Sequence, residues 1–100
     1  MRVLQNYAVS LRNAGWLAEA EPLQREALAR FVRVRGPDSL EAASALSAMG
    51  VLFKLKGNLK AAEEHQRRAL AIRERELGPE DDATQLVRQR LEELLAGDAQ

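Results

Sequence analysis

The chain has no cysteine, a single histidine, three prolines and only four aromatic residues among its 100. Without cysteine there is no disulfide framework and no thiol chemistry. The lone His65 has no second histidine or cysteine to join it, so a zinc site of three or four ligands cannot be assembled around it. No metal or other cofactor is expected. No apolar run approaches the roughly 20 residues that a bilayer-spanning helix needs, and no signal peptide is visible. Acids and bases balance at 15 each. No basic field therefore calls for nucleic acid, and neither nucleic acid nor membrane is expected as a partner. A cytoplasmic location is the default expectation. Gly36 and Gly78 each stand alone beside a proline, which is not a phosphate-cradling loop. Glu80, Asp81 and Asp82 lack the ligand spacing of a calcium loop. Ser10, Ser39, Ser44 and Ser47 have no histidine base at hand. These absences argue against an enzyme.

What is present is a repeat. Gly15 and Gly57 stand about 42 positions apart, as do Gly36-Pro37 and Gly78-Pro79. At the same offset Leu4 falls on Leu46, Leu17 on Leu59, Ala20 on Ala62, Gln24 on Gln66, and Ala27-Leu28-Ala29 on Ala69-Leu70-Ala71. Apolar residues recur at three- and four-residue spacing between the glycines, which predicts amphipathic helices. Helices are expected over 2–14, 17–35, 40–56, 59–77 and 83–96. The inner face of the second is read as Leu17, Ala20, Leu23, Ala27, Leu28, Phe31 and Val34. Asp38 or Ser39 should cap the third, with Glu41 as a capping-box partner, and Asp82 with Gln85 should cap the fifth. Glu63, Glu64, Arg67, Arg68 and Arg73 to Glu76 read as a solvated charged face of the fourth helix.

Leu4, Tyr7, Ala8, Leu11, Gly15, Leu17, Ala20, Ala27 and Leu28, with the matching second set Leu46, Met49, Gly50, Phe53, Gly57, Leu59, Ala62, Ala69 and Leu70, resemble the tetratricopeptide repeat. The long form of kinesin light chain and its bacterial relatives is the nearest in pattern. The resemblance implies an all-α fold: an α-solenoid of two helical hairpins plus a C-terminal capping helix, five helices with right-handed superhelical stacking. One domain over 1–96 is expected, with repeats at about 1–38 and 39–80, a capping helix at about 82–96 and a polar tail over 97–100. Arg88 and Glu92 stand where Leu4 and Leu46, and Ala8 and Gly50, stood. Such charges suit a terminal helix whose outer face meets water. The family usually has a large aromatic or aliphatic residue at the places of Gln24 and Gln66. Leu23 can compensate in the first copy, but His65 takes that place in the second, so the second helical pair is expected to pack less well.

The resemblance also implies a function: a scaffold that binds a peptide or protein partner on the concave face made by the first helix of each pair. Carried over one by one, the groove positions are Gln5, Asn6, Val9, Arg12 and Asn13, then Ser44, Ser47, Val51 and Lys54, then Gln89 and Glu93. Amides can serve a peptide backbone as donor and acceptor, and Arg12 with Lys54 would favour a peptide carboxylate. Chaperone-binding members use a clamp of Lys, Asn and Arg. Gln5 and Val9 occupy its first two places here, so chaperone binding is not expected. The rival reading is a homodimer through the N-terminal edge at Val3 and Tyr7, with Trp16 or Phe31 nearby, because Met1 opens directly into repeat residues and exposed apolar patches often mark interfaces. The same opening fits a piece of a longer array.

Overall fold

The computed structural model describes residues 2–98. Five helices follow one another: α1 (Arg2–Asn13), α2 (Leu17–Arg35), α3 (Leu40–Leu55), α4 (Leu59–Leu77) and α5 (Asp82–Asp98). α1 pairs with α2 and α3 with α4 as helical hairpins. α3 also packs on α2, and α5 packs on α4. The molecule measures 32 × 29 × 19 Å. Its shortest dimension is about two helix diameters, one layer of first helices (α1, α3, α5) and one of second helices (α2, α4). The fold is all-α and built of helical hairpins, as expected.

The helix ends repeat as the sequence does. Gly15 and Gly57 adopt φ of 89° and 86°, a left-handed conformation open to a residue without Cβ. In each turn two backbone bonds close the helix end: Trp16 N–H donates to Leu11 O and Gly15 N–H to Arg12 O, and Asn58 N–H donates to Phe53 O and Gly57 N–H to Lys54 O. This is the 6→1 and 5→2 pair that satisfies orphan carbonyls. At the start of α3, Ser39 is the cap. Its hydroxyl donates to Gly36 O at 3.0 Å and accepts from Ala42 N–H at 3.1 Å. The expected Asp38–Glu41 capping box does not form, because Glu41 is drawn to Arg35 at 3.4 Å. At α5 the cap is Asp81, whose carboxylate accepts from Ala83 N–H at 2.9 Å. Asp82 is already helical. Gly97 and Asp98 belong to α5 rather than to a tail, and the remainder of the expected tail, 99–100, lies outside the described residues, as does Met1.

The core follows the small residues. Ala8, Ala20, Ala27, Ala42, Ala43, Ala45, Ala62 and Ala69 are all buried. Their size lets neighbouring helices approach toward the short end of the usual 8–10 Å. Larger side chains fill what remains. Met49, Leu52, Phe53 and Leu94 gather around Ala20 and Ala62, Leu46, Ile72 and Val87 around Ala43 and Ala69, and Phe31 beside Ala27 and Ala45.

Three expectations need correction. Val34 is 59% exposed; its repeat counterpart Glu76 is exposed too, so that register has no neighbour in either hairpin. Phe31 is buried and cannot belong to an exposed edge. The second pair is not the looser one. Gln66 and Gln24 are both buried and both hydrogen-bonded, so a polar link replaces the missing apolar bulk. Gly50 shows how tightly the second pair fits, since a Cβ placed there would stand 2.6 Å from Gln66 Nε2 and 2.9 Å from its Cδ.

Gly50→Ala tests this packing by its sign. At an unconstrained helical site the change stabilises by about 1 kcal/mol. Here it should destabilise by roughly 1–3 kcal/mol, the cost of overpacking. Urea melts of the two proteins read the difference, and a more stable Gly50→Ala protein would show that Gln66 yields freely.

Candidate functional site

The candidate site is the face shared by α1, α3 and α5. A polar link stands behind it in each hairpin, part-buried in the first and buried in the second. In the first, Gln24 Nε2 donates to Gln5 Oε1 at 3.3 Å. In the second, the Ser47 hydroxyl donates to Gln66 Oε1 at 2.8 Å, and Gln66 Nε2 donates to Ser47 O at 3.0 Å. Gln5 and Ser47 occupy the same repeat position, so one construction is used twice. α5 joins the second copy through Arg90, whose Nη1 donates to the Ser47 hydroxyl at 2.9 Å.

The expected site residues fall into three shallow clefts. Gln5, Asn6 and Ser44 border one of about 210 Å³ with Phe31 and Glu41. Val51, Lys54 and Glu93 border another of about 220 Å³ together with Gln66 and Arg90. Arg12 and Asn13 border the third, of about 550 Å³, near Leu17 and Leu55. Arg12 donates to Asn13 Oδ1 through Nε at 3.3 Å and Nη2 at 3.2 Å. Lys54 and Glu93 are 3.9 Å apart, so the Lys54 charge is shared with α5. Gln89 is exposed and donates to Glu93 at 3.3 Å. Val9 is half-buried. Ser47 differs from expectation: it is 2% exposed and its hydroxyl is committed to Gln66 and Arg90, so it supports the face rather than lying open on it.

Two further arginines belong here. Arg90 sits at the repeat position of Asn6. Arg73 sits at that of Phe31, which is a core position in the first hairpin. Rather than joining a solvated face of α4, Arg73 crosses to the first-helix layer, where Nη2 donates to Ser44 Oγ at 3.0 Å and Nη1 to Ala83 O at 3.1 Å. Burial, and after it the charge of Arg90, hold the Arg12 guanidinium below its ordinary pKa. The same two causes, in the same order, lower Arg73 against a smaller opposing pull from Asp81. Both remain cations at neutral pH. A charged position where the repeat calls for phenylalanine was a legible signal.

The other singled-out residues have structural roles. His65 Nδ1 lies 2.8 Å from Ala61 O, and its ring packs 5.1 Å from that of Phe53. The Arg25 guanidinium covers the same phenylalanine ring, 5.7 Å from its centre. Arg88 turns back to Glu74 at 2.8 Å, while Glu92 is exposed. Among the described residues, no cluster of three or more His, Asp or Glu side chains is placed to hold a metal ion. No described helix is long and apolar enough to cross a membrane.

The model of the tetratricopeptide repeat family matches residues 1–75. The chain belongs to the tetratricopeptide repeat family. No curated protein matches it. Tetratricopeptide repeats commonly mediate contacts between proteins and typically serve as scaffolds rather than enzymes.

The Ser47–Gln66 link carries a quantitative prediction. Gln66→Leu removes the amide that bonds both the buried Ser47 hydroxyl and its carbonyl and should cost about 1–3 kcal/mol. In a Ser47→Ala background the hydroxyl–amide bond is already gone, and the same change should cost measurably less. A double-mutant cycle in urea with no coupling between the two sites would show that the bond contributes nothing.

Proposed function

We propose that this tetratricopeptide repeat chain is a scaffold that binds a peptide or protein partner on the concave face formed by α1, α3 and α5. The observation that carries this reading is the clustering of polar groups around clefts on that face. Asn6, Asn13 and Ser44 supply donors and acceptors on residues that are not part of the core, and the Gln5 oxygen accepts from Gln24 while its amide N–H groups have no partner among the described residues. Val9 and Val51 supply apolar surface between them. Gln5 is anchored from behind by Gln24, and Ser47, which holds Arg90, by Gln66, so less ordering remains for these groups when a ligand arrives.

Selection of binders from an unbiased displayed peptide library, followed by hydrogen exchange on the complexes, tests this. Protection should fall on α1 and α3. Asn6→Trp with Val51→Trp should fill the clefts without adding charge and weaken binding at least about ten-fold, a loss of roughly 1.4 kcal/mol. Arg68→Glu on the other layer should leave it unchanged. Protection confined to α2 and α4 would overturn the reading.

A second reading, self-association through the N-terminal edge, has its own support. Val3 is 82% and Tyr7 58% exposed. Their repeat counterparts Ala45 and Met49 on α3, and Val87 and Leu91 on α5, are buried in helices that pack on α2 and α4. That register is covered wherever a preceding second helix exists. Trp16, 59% exposed, adds apolar surface at the same hairpin. A homodimer through Val3 and Tyr7 predicts a solution mass that rises with concentration and returns to the monomer in Tyr7→Glu. A monomer at all concentrations removes this reading.

A further inference from the structure

We propose that Arg73, Arg90 and Arg12 form a cationic row on the first-helix face that binds an acidic peptide segment of the partner, one with clustered Asp or Glu side chains. The inference rests on the reading above and adds the chemistry of the ligand.

All three arginines are half-buried, and among the described residues none has a carboxylate within 4 Å. The rest of the protein is managed differently. Arg25, Arg30, Arg35, Arg67, Arg75 and Arg88 each pair with an acid, as do Lys54 and Lys56. Arg33, Lys60 and Arg68, which have no such pair among the described residues, are exposed on α2 and α4, where water screens them. Among the described residues, only on the first-helix face are cations drawn out of water, brought near one another and left without an anion. The chain as a whole is neutral, so this is a local field and not general basicity.

The groups are also aimed. Arg73 and Arg90 rest on the hydroxyls of Ser44 and Ser47, three residues apart on α3, which sets their anchors about 4.5 Å apart along the helix. Arg12, whose only side-chain hydrogen-bond partner among the described residues is its neighbour Asn13, extends the row beyond Arg90. Serine hydroxyls are neutral acceptors. They orient the guanidinium forks and leave their charge unspent. A planar fork held this way suits two-point contact with a carboxylate. Like charges gathered in a partly dry site repel, and an anionic ligand relieves that repulsion as well as adding its own bonds. The cleft beside Arg35, Pro37 and Arg75 offers no comparable site, because Arg35 is paired with Glu41 at 3.4 Å and Arg75 with Glu76 at 3.2 Å. Two acids lie near the row: Asp81 exerts only a small pull on Arg73, and Glu93 has Lys54 3.9 Å from it.

Fluorescence anisotropy with a labelled oligo-glutamate peptide, and with an oligo-glutamine peptide of the same length, tests the proposal. The glutamate peptide should bind and weaken as salt is raised; the glutamine peptide should not bind. Arg12→Gln with Arg90→Gln should weaken binding about ten-fold or more, with the helical circular dichroism of the parent. Arg33→Gln with Arg68→Gln removes the same charge from the other layer and should change affinity less than about two-fold, as for exposed screened charges. Arg90→Lys keeps the charge and the fold but loses the fork, and should give an intermediate affinity. Equal losses in the two double variants would overturn the proposal in favour of non-specific attraction, and so would displacement of the peptide by an equal concentration of inorganic phosphate. The library selection separates this inference from the reading beneath it. Peptides that protect α1 and α3, lack acids and ignore Arg12→Gln with Arg90→Gln would sink the acidic ligand and leave the scaffold. No peptide on that face would remove both.

Discussion

α3 has to touch helices on two sides at once, and that demand shapes the rest of the structure. α2 packs on one side of it and α4 on the other. Ala42, Ala43, Ala45 and Ala48 keep its profile narrow enough for both neighbours, and Gly50 narrows it further at the point where Gln66 crosses. Helix pairs that approach this closely leave little room for bulky side chains between axes. The larger apolar groups, Leu46, Met49, Leu52 and Phe53, therefore fill the spaces beside the crossings. Among the described residues α1 and α5 each have one such neighbour rather than two, and Val3 and Tyr7 on the one and Leu86 and Leu95 on the other are exposed.

Close approach creates a second requirement, because any polar atom trapped at the crossing must find a partner there. Among the described residues no buried side-chain nitrogen or oxygen lacks one. Gln66 meets the demand by taking both the hydroxyl and the carbonyl of Ser47, and Arg90 then uses the remaining capacity of that hydroxyl. The packing of α3 on α4 and the orientation of a surface arginine are thus parts of one chain of bonds. A site built this way is stiff, since moving Arg90 disturbs a bond that a buried glutamine also uses.

The helices were legible because their signals are local. Glycine at the turns, alanine at the crossings and apolar spacing along each segment all act within a few residues, and the limits of α2 and α4 follow from them directly. The caps were harder to read, since Asp38, Ser39, Asp81 and Asp82 offer adjacent oxygens and the choice turns on the entry angle of the chain. Gln24 and Gln66 looked like packing defects in sequence because a buried amide reads as a loss until its partner is seen. Those partners lie 19 positions away, and only the register linking Gln5 to Ser47 pointed to them.

The candidate face was partly legible for the same reason. Repeat register places Gln5, Asn6, Ser44 and Lys54 in the first-helix layer, but it says nothing of a side chain that leaves its own layer. Arg73 does so. On α4 it reads as one charge among many, and only its coincidence with the core position of Phe31 marks it. Phenylalanine in that register closes the space between the first helices of the first hairpin and α3 with apolar bulk. Arginine in the same register reaches into the equivalent space with a long stem and carries its charge toward Ser44 and Ala83. The stem preserves much of the packing, while the head converts a sealed junction into a charged one. Two copies of one architecture thereby acquire different surfaces, and the difference turns on which side chain fills a single recurring gap.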